Sequence, residues 1–252
     1  MKGVLSALYS TCVYAFFFAT FLYAIGFVEG VAPKNLDSGS PGGTATTVGI
    51  DLALLAVFAL QHSIMARPAF KRSWTRVVPK EVERSTYVLF ASVALAVLMW
   101  KWQPMPQVIW NLSDPRVAII VRLVSFGGWA IVLLSTFLIS HFQLFGVSQG
   151  FARLLGRGSQ KPKFSTPLLY RWLRHPIYAG FILAFWSAPR MTLGHLVFAL
   201  ATTGYILIGI WLEERDLVAE FGARYVQYRQ QVGMLFPRFW AQGTRTHAET
   251  SQ

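Results

Sequence analysis

The chain is poor in charge, poorer in acid than in base, and almost without cysteine, and each shortage excludes something. Only 13% of its residues are Asp, Glu, Lys or Arg, against about 25% in an average soluble domain. That is too little to clothe 252 residues in a polar shell, and a bilayer removes the need for one. The one cysteine, Cys12, lies in an apolar run, which excludes a disulfide framework and a thiolate metal cluster. It reads as a small buried apolar side chain. Gly and Pro number 20 and 12 without a period, and no heptad is sustained, so collagen, disorder and coiled coil are excluded as well.

What the chain has is apolar length. Charge-free runs cover residues 3–28, 52–66, 85–100, 123–152, 175–189 and 191–212, and a spanning helix needs about 20 mainly apolar residues. The first, fourth and sixth runs reach that unaided. The second does so if Val48 to Asp51 form a polar first turn, and the third if Lys101 snorkels to the interface. The fifth is short and opens on His175-Pro176, so it is tilted or only partly inserted. The expected fold is all-α, a polytopic integral membrane helical bundle of five or six transmembrane helices. The first run is too long for a secretory signal and lacks a small-residue cleavage pattern.

A net charge of +12 would suit a nucleic-acid partner if it formed one patch, but its distribution follows topology. Segments 67–84 and 141–175 hold six Lys or Arg each and the chain from 213 onward holds five, whereas the intervening loops hold only Lys34, Lys101, Arg116 and Arg190. This positive-inside bias puts both termini and the basic loops in the cytoplasm of a bacterial inner-membrane protein if six spans are made. The basic excess then meets lipid headgroups, with no nucleic acid as partner. Segment 33–47 reads as a flexible loop on the opposite side. Segment 101–116, with Pro104, Pro106 and Pro115 among Trp100, Trp102 and Trp110, reads as an interfacial aromatic belt. Residues 241–252 read as a flexible polar tail.

Polar groups at membrane depth are costly, so they are the first functional candidates. Gln61-His62-Ser63 ends the second run; Glu81, Glu83, Arg84, Ser85, Thr86 and Tyr87 enter the third; Ser140-His141-Phe142-Gln143 leaves the helical part of the fourth, with Gln149 beyond. Each alone reads as a helix end among headgroups. Together, on one face, they point to a shared cavity.

A fourth cluster is more specific: Arg174-His175-Pro176-x-Tyr178-x-Gly180, an apolar hairpin, Glu213-Glu214-x-x-Leu217, then Phe221-Gly222-x-x-Tyr225-x-x-Tyr228 and Pro237. Pro176 belongs in a first helical turn, so His175 and Tyr178 project from a helix N-terminus, a place suited to an anionic group. Gly180 admits a ligand or a neighbouring helix. Glu213 and Glu214 return to the same leaflet and need cations, for which Arg171, Arg174 or a ligand ammonium are available.

This ordered pattern resembles the isoprenylcysteine carboxyl methyltransferase and phospholipid methyltransferase superfamily of integral membrane enzymes, over about the last third of the chain. The resemblance implies an S-adenosylmethionine site on the cytoplasmic side. Gln149, Arg174, His175, Tyr178, Gly180, Glu213, Glu214 and Tyr225 are its candidates. Leu60-Gln-His-Ser63, Glu83-Arg-Ser-Thr-Tyr87 and Ser140-His-Phe-Gln-Leu-Phe-Gly146 are similar to the NnrU-related bacterial branch, and within it to the methanethiol S-methyltransferases, which make dimethyl sulfide. Residues 1–150 would then form the substrate side and 151–240 the cofactor hairpin.

The chemistry fits those residues. A small alkyl thiol has a pKa well above neutral, so below about one molecule in a thousand is thiolate at pH 7, and the thiolate is the nucleophile. The protein must remove or share that proton, for which His is the usual group, and since a cationic cofactor itself favours a nearby thiolate, a weak base suffices. His62 and His141 are the catalytic candidates, with Arg84 and Tyr87 as orienting or charge-stabilising partners. His62, Tyr87, His141, Phe142 and Phe145 would close a small pocket over the transferred methyl. No metal is required, and two histidines without a carboxylate set make a poor metal site. Nothing in the residues sets an oligomeric state. The alternatives are a lipid or prenyl-cysteine methyltransferase with a groove open to the bilayer, a sterol-reductase-like NADPH enzyme, and a non-enzymatic NnrU-like membrane protein.

Overall fold

The computed structural model describes residues 1–40, 43–152, 154–156 and 164–238. In chain order they form α1 (Lys2–Glu29), α2 (Thr44–Ala66), α3 (Pro68–Trp74), α4 (Lys80–Lys101), β1 (Val108–Asn111), α5 (Pro115–Ile139), α6 (His141–Leu144), α7 (Val147–Ala152), a 3-10 turn at Leu168–Arg171, α8 (Pro176–Trp186), β2 (Arg190–Thr192), α9 (Leu193–Phe221) and α10 (Ala223–Gln231). Helices α1, α2, α4, α5 and α9 are long and apolar enough to cross a membrane. The protein is a polytopic helical membrane bundle. Its helix ends are set locally. Gly30 closes α1 in the left-handed conformation with φ 74°. Asp114 caps α5 by accepting from Arg116 N at 2.8 Å, and Thr192 caps α9 by accepting from His195 N at 3.1 Å.

Helix α8 has 11 residues, about 16 Å at 1.5 Å per residue, and a hydrocarbon core is about 30 Å thick. The chain still passes from one end of the bundle to the other here, because residues 187–189 continue as non-helical backbone into β2, which pairs antiparallel with β1. Non-helical backbone at such depth needs its polar groups satisfied by protein. Here Ala188 O accepts from Trp110 Nε1 at 3.0 Å and Pro189 O from Leu112 N at 3.0 Å, while Phe185 O in the last turn of α8 accepts from His195 Nε2 at 2.8 Å. The short fifth run is thus an 11-residue helix continued by supported coil, beside the five helices long enough to span.

Helices α5 and α8 pack backbone to backbone. A Cβ built on Gly180 would lie 2.6 Å from Gly128 O, and one on Gly128 would lie 2.6 Å from Gly180 O. Ser125 Oγ lies 2.8 Å from Ala184 O across the same seam. Small residues let membrane helices approach in this way. Phe27, Trp102, Trp129, Phe185 and Phe198 build the larger core.

Three sequence expectations change. Residues 32–38 are not a loose loop: Leu36 is 2% exposed, its carbonyl accepts from Trp102 Nε1 at 3.2 Å, and Asp37 Oδ1 accepts from Thr192 Oγ1 at 2.6 Å. Trp102 is fully buried under that cap rather than lying in an interfacial belt. Cys12 is exposed, because an apolar run faces lipid as readily as core. Expectations for residues 241–252 lie outside the described residues.

Candidate active site

At the end of the bundle opposite β1 and β2, the segment before α8 runs beside the chain after α10. Leu173 and Gly233 form a parallel bridge, Arg174 N donates to Gly233 O at 2.8 Å, and His175 N donates to Met234 O at 3.2 Å. Arg174 Nε donates to Glu214 Oε1 at 2.7 Å. One of its terminal nitrogens donates to Arg229 O at 2.9 Å and Val232 O at 2.6 Å, the open carbonyls at the end of α10, where a cation is favoured. His175 Nε2 donates to Glu214 Oε1 at 3.2 Å. Glu214 is thus enclosed. Glu213 is not: its side chain is 43% exposed, with one oxygen 2.9 Å from the donating Tyr178 hydroxyl and 3.9 Å from His175 Nδ1.

Tyr225, on α10, is 2% exposed, and its hydroxyl has no hydrogen-bond partner among the described residues. Burial raises its pKa, with the Glu214 carboxylate adding to the effect, so the phenol keeps its proton and remains an unused donor. Its neighbour Tyr228 is pushed up to about 12, first by burial, and donates to Tyr170 O at 2.5 Å.

The second half of the site lies on α2 and α4. The Tyr87 hydroxyl is 2.9 Å from Nε2 and 3.2 Å from Nδ1 of His62, and the His62 ring stacks on Phe58 with centroids 5.5 Å apart. Arg84 stands over the Tyr87 ring, 5.0 Å from its centroid, and is held there by donating Nε to Leu144 O at 2.8 Å. Ser63 Oγ donates to the Tyr205 hydroxyl at 3.3 Å.

Helix α9 joins the halves. Tyr205, Gly209 and Glu213 recur every four residues and so share one helix face. Tyr205 meets Ser63 and the His62 ring, Gly209 faces the Tyr178 hydroxyl, 4.0 Å from a built Cβ, and Glu213 bonds Tyr178. Eight residues separate His62's neighbour Tyr205 from the open carboxylate, about 12 Å of helix. Farther out, Arg67 and Asp216 tie α2 to α9 at 2.9 Å.

The structure brings together His62, Arg84 and Tyr87, and separately Arg174, His175, Tyr178, Glu213 and Glu214. Gly180 faces Gly128 of α5 rather than the site. His141 turns to α1 and α5. Thr136 gives its own proton to Leu133 O at 2.7 Å and lies 2.8 Å from His141 Nδ1, so it accepts from that nitrogen. Nε2 then accepts from the Tyr14 hydroxyl at 2.8 Å. Both ring nitrogens are used, and burial lowers the His141 pKa. Phe145 stacks on Phe17 at 4.0 Å in the apolar cluster that also holds Tyr87, and Phe142 is half exposed. Gln149 donates to Gln143 O at 3.1 Å, while its Oε1 is buried without a partner among the described residues. Tyr205, Tyr14 and Arg229 were not expected from sequence. The four-residue spacing Tyr205, Gly209, Glu213 was the available signal. Among the described residues no three His, Cys, Asp or Glu groups gather to hold a metal.

The chain is 56% identical over 231 residues to methanethiol S-methyltransferase 1 of Bradyrhizobium diazoefficiens, covering 91% of this chain and 81% of that protein. It is 49% identical over 238 residues to the methanethiol S-methyltransferase of Mycobacterium tuberculosis, covering 94% and 98%. It is also 34% identical over 179 residues to nurim of Xenopus laevis, covering 67% and 62%. No family model and no solved structure matches it.

Proposed function

The chain belongs to the methanethiol S-methyltransferase family, and from that premise we propose that it transfers a methyl group from S-adenosylmethionine to methanethiol, giving dimethyl sulfide. The observation that carries this reading is the α9 face on which Tyr205, Gly209 and Glu213 connect the His62–Tyr87 pair to an open carboxylate.

The residues fit the cofactor. Glu213 is a half-open carboxylate with a spare oxygen for an ammonium. The N-cap His175 makes no side-chain capping bond, so the first turn of α8 keeps free N–H groups for a carboxylate. The Tyr225 hydroxyl is an unused buried donor for a ribose or purine acceptor. When bound, the cofactor supplies an electrophilic methyl on a sulfonium. Arg174 and Glu214 hold α8, α9 and α10 together around that space, and Tyr178 fixes the Glu213 carboxylate.

On the substrate side, His62 takes the thiol proton while Tyr87 holds the imidazole and Arg84 holds Tyr87. With the cofactor bound, its sulfonium would supply the methyl for the new S–C bond and its own sulfur would keep the electron pair of the bond broken, while His62 would pass the thiol proton to water. Phe58, Tyr87 and Phe145 keep the thiol dry, so that alignment supplies much of the rate. Residues 1–150 provide most of this side and 151–240 the cofactor side. The basic end, which carries the cofactor site, faces the cytoplasm of an inner membrane.

The test is headspace detection of dimethyl sulfide from purified protein given methanethiol and S-adenosylmethionine, with binding titrations against S-adenosylhomocysteine and NADPH. Dimethyl sulfide and S-adenosylhomocysteine binding are expected. Turnover of long-chain substrates alone would replace this reading with a lipid or prenyl-cysteine methyltransferase, and NADPH binding alone with a reductase.

A further inference from the structure

A groove of about 340 Å³ lies between α1 and α4 on the outer surface, at the β1–β2 end and away from the active site. Its floor is dry. Ala19 and Ala96 present methyls, and Thr20, 7% exposed, turns its hydroxyl back to Phe16 O at 2.8 Å. Tyr23 uses its hydroxyl on the backbone of Lys34, with Lys34 O at 3.2 Å and Lys34 N at 3.3 Å. The one charged lining residue is Lys34. A second cation lies beside a wall residue: Lys101 Nζ is 4.0 Å from the centroid of Trp100, which lines the groove and is 66% exposed.

Charge decides the occupant. This end of the bundle has four basic residues, Lys34, Lys101, Arg116 and Arg190; Lys34 lines the groove and Lys101 adjoins its wall residue Trp100. Its four carboxylates have other partners: Glu29 accepts from Trp129, Asp37 from Thr192, Asp51 from Gln103 N with its second oxygen left unpartnered among the described residues, and Asp114 caps α5. Asp51 feels Lys34 through space, but among the described residues neither lysine has an ion-pair partner; the ion pairs lie at the opposite end. Two free cations above an apolar slot on a lipid-facing helix pair match a phosphate that carries a hydrocarbon chain. We infer that this groove binds one acyl chain of an anionic phospholipid, with Lys34 and Lys101 on its phosphate. From Phe16 to Tyr23 the slot is about 10 Å long, so it takes the part of the chain next to the headgroup.

The test is retention of phosphatidylglycerol against phosphatidylcholine by protein released from nanodiscs holding both lipids in equal amounts, read by native mass spectrometry. Phosphatidylglycerol is expected to be retained preferentially. At about 1 kcal/mol per lysine, Lys34→Gln with Lys101→Gln should cut its affinity about thirty-fold. Ala96→Trp, which fills the slot and leaves the charge unchanged, should lose the bound lipid too. Arg116→Gln, a cation of the same end on α5, should change nothing. Equal retention of the two lipids, an unaltered double lysine variant, an unaltered Ala96→Trp, or an equal loss in Arg116→Gln would each overturn the proposal.

Discussion

The Arg174 guanidinium and the Glu214 carboxylate meet at 2.7 Å with side chains only 7% and 12% exposed, whereas the adjacent Glu213 is 43% exposed and bonded to a tyrosine. Two neighbouring glutamates are thereby split. One sits in an internal ion pair that joins α8, α9 and the end of α10, and the other opens onto the site. The α9 spacing accounts for the split, since adjacent residues lie about 100° apart around a helix of 3.6 residues per turn.

Removing one member of the enclosed pair leaves an uncompensated charge, which costs about 3–5 kcal/mol. Arg174→Ala and Glu214→Ala are therefore expected to lower the thermal midpoint in detergent strongly, with cofactor binding lost as a consequence. Glu213→Gln should leave the midpoint nearly unchanged and weaken S-adenosylhomocysteine about ten- to hundred-fold, as expected for losing a charge-assisted hydrogen bond. A calorimetric titration beside a melting curve separates the two.

The seam between α5 and α8 gives a second expectation. A methyl at Gly180 has no room, with Gly128 O 2.6 Å away and the Val132 side chain at 2.9 Å. Gly180→Ala should push the helices apart at a cost of about 1–3 kcal/mol. Because α8 carries His175 and Tyr178, the same change should lower S-adenosylhomocysteine affinity. Ile177→Ala, a truncation in the first turn of the same helix that adds no bulk to the seam, should be milder in the melting curve.

Much of this site was legible in the sequence, for identifiable reasons. Pro176 can only start a helix, and the charge-free runs are long, so the spans and the placement of His175 follow from local rules. The rest depends on partners far along the chain. His141 is bonded to Tyr14, 127 residues away. Trp102 is buried by the carbonyl of Leu36, and β1 and β2 hold four and three residues, too few to show a period. Gly180 was compatible with a ligand or a helix, and only the position of Gly128 decides between them.

His141 carries a pH-dependent prediction. Burial holds its folded pKa below the ordinary 6.5, so as pH falls through about 6.5 the unfolded chain takes up a proton that the folded protein refuses. Stability then falls with falling pH until the lowered folded pKa is passed, and this contribution is fully present above about 6.5. The thermal midpoint of the wild type should drop between about pH 7.5 and pH 5. His141→Gln should begin lower, having lost the fit to Tyr14 and Thr136, and show a shallower drop. An equal slope in the two proteins would remove His141 from the acid response.

His62 is expected to behave differently, because the proposed function places it and its partner Tyr87 on the substrate side. If His62 takes the thiol proton, His62→Ala removes a group used only during turnover. The kcat for dimethyl sulfide should fall by about a hundred-fold or more, while S-adenosylhomocysteine affinity changes less than about two-fold, since α2 carries none of the residues proposed to hold the cofactor. Tyr87→Phe keeps the imidazole but frees its orientation, so its deficit should be smaller and again confined to kcat. The pH profile separates proton transfer from positioning. As pH rises toward the thiol's own pKa, free thiolate becomes available and the His62→Ala deficit should shrink about ten-fold per unit, whereas a deficit due to a misplaced Phe58 or Tyr205 would stay constant. A flat ratio of wild-type to variant kcat across that range would assign His62 to holding the pocket and leave the cofactor's positive charge as what lowers the thiol pKa.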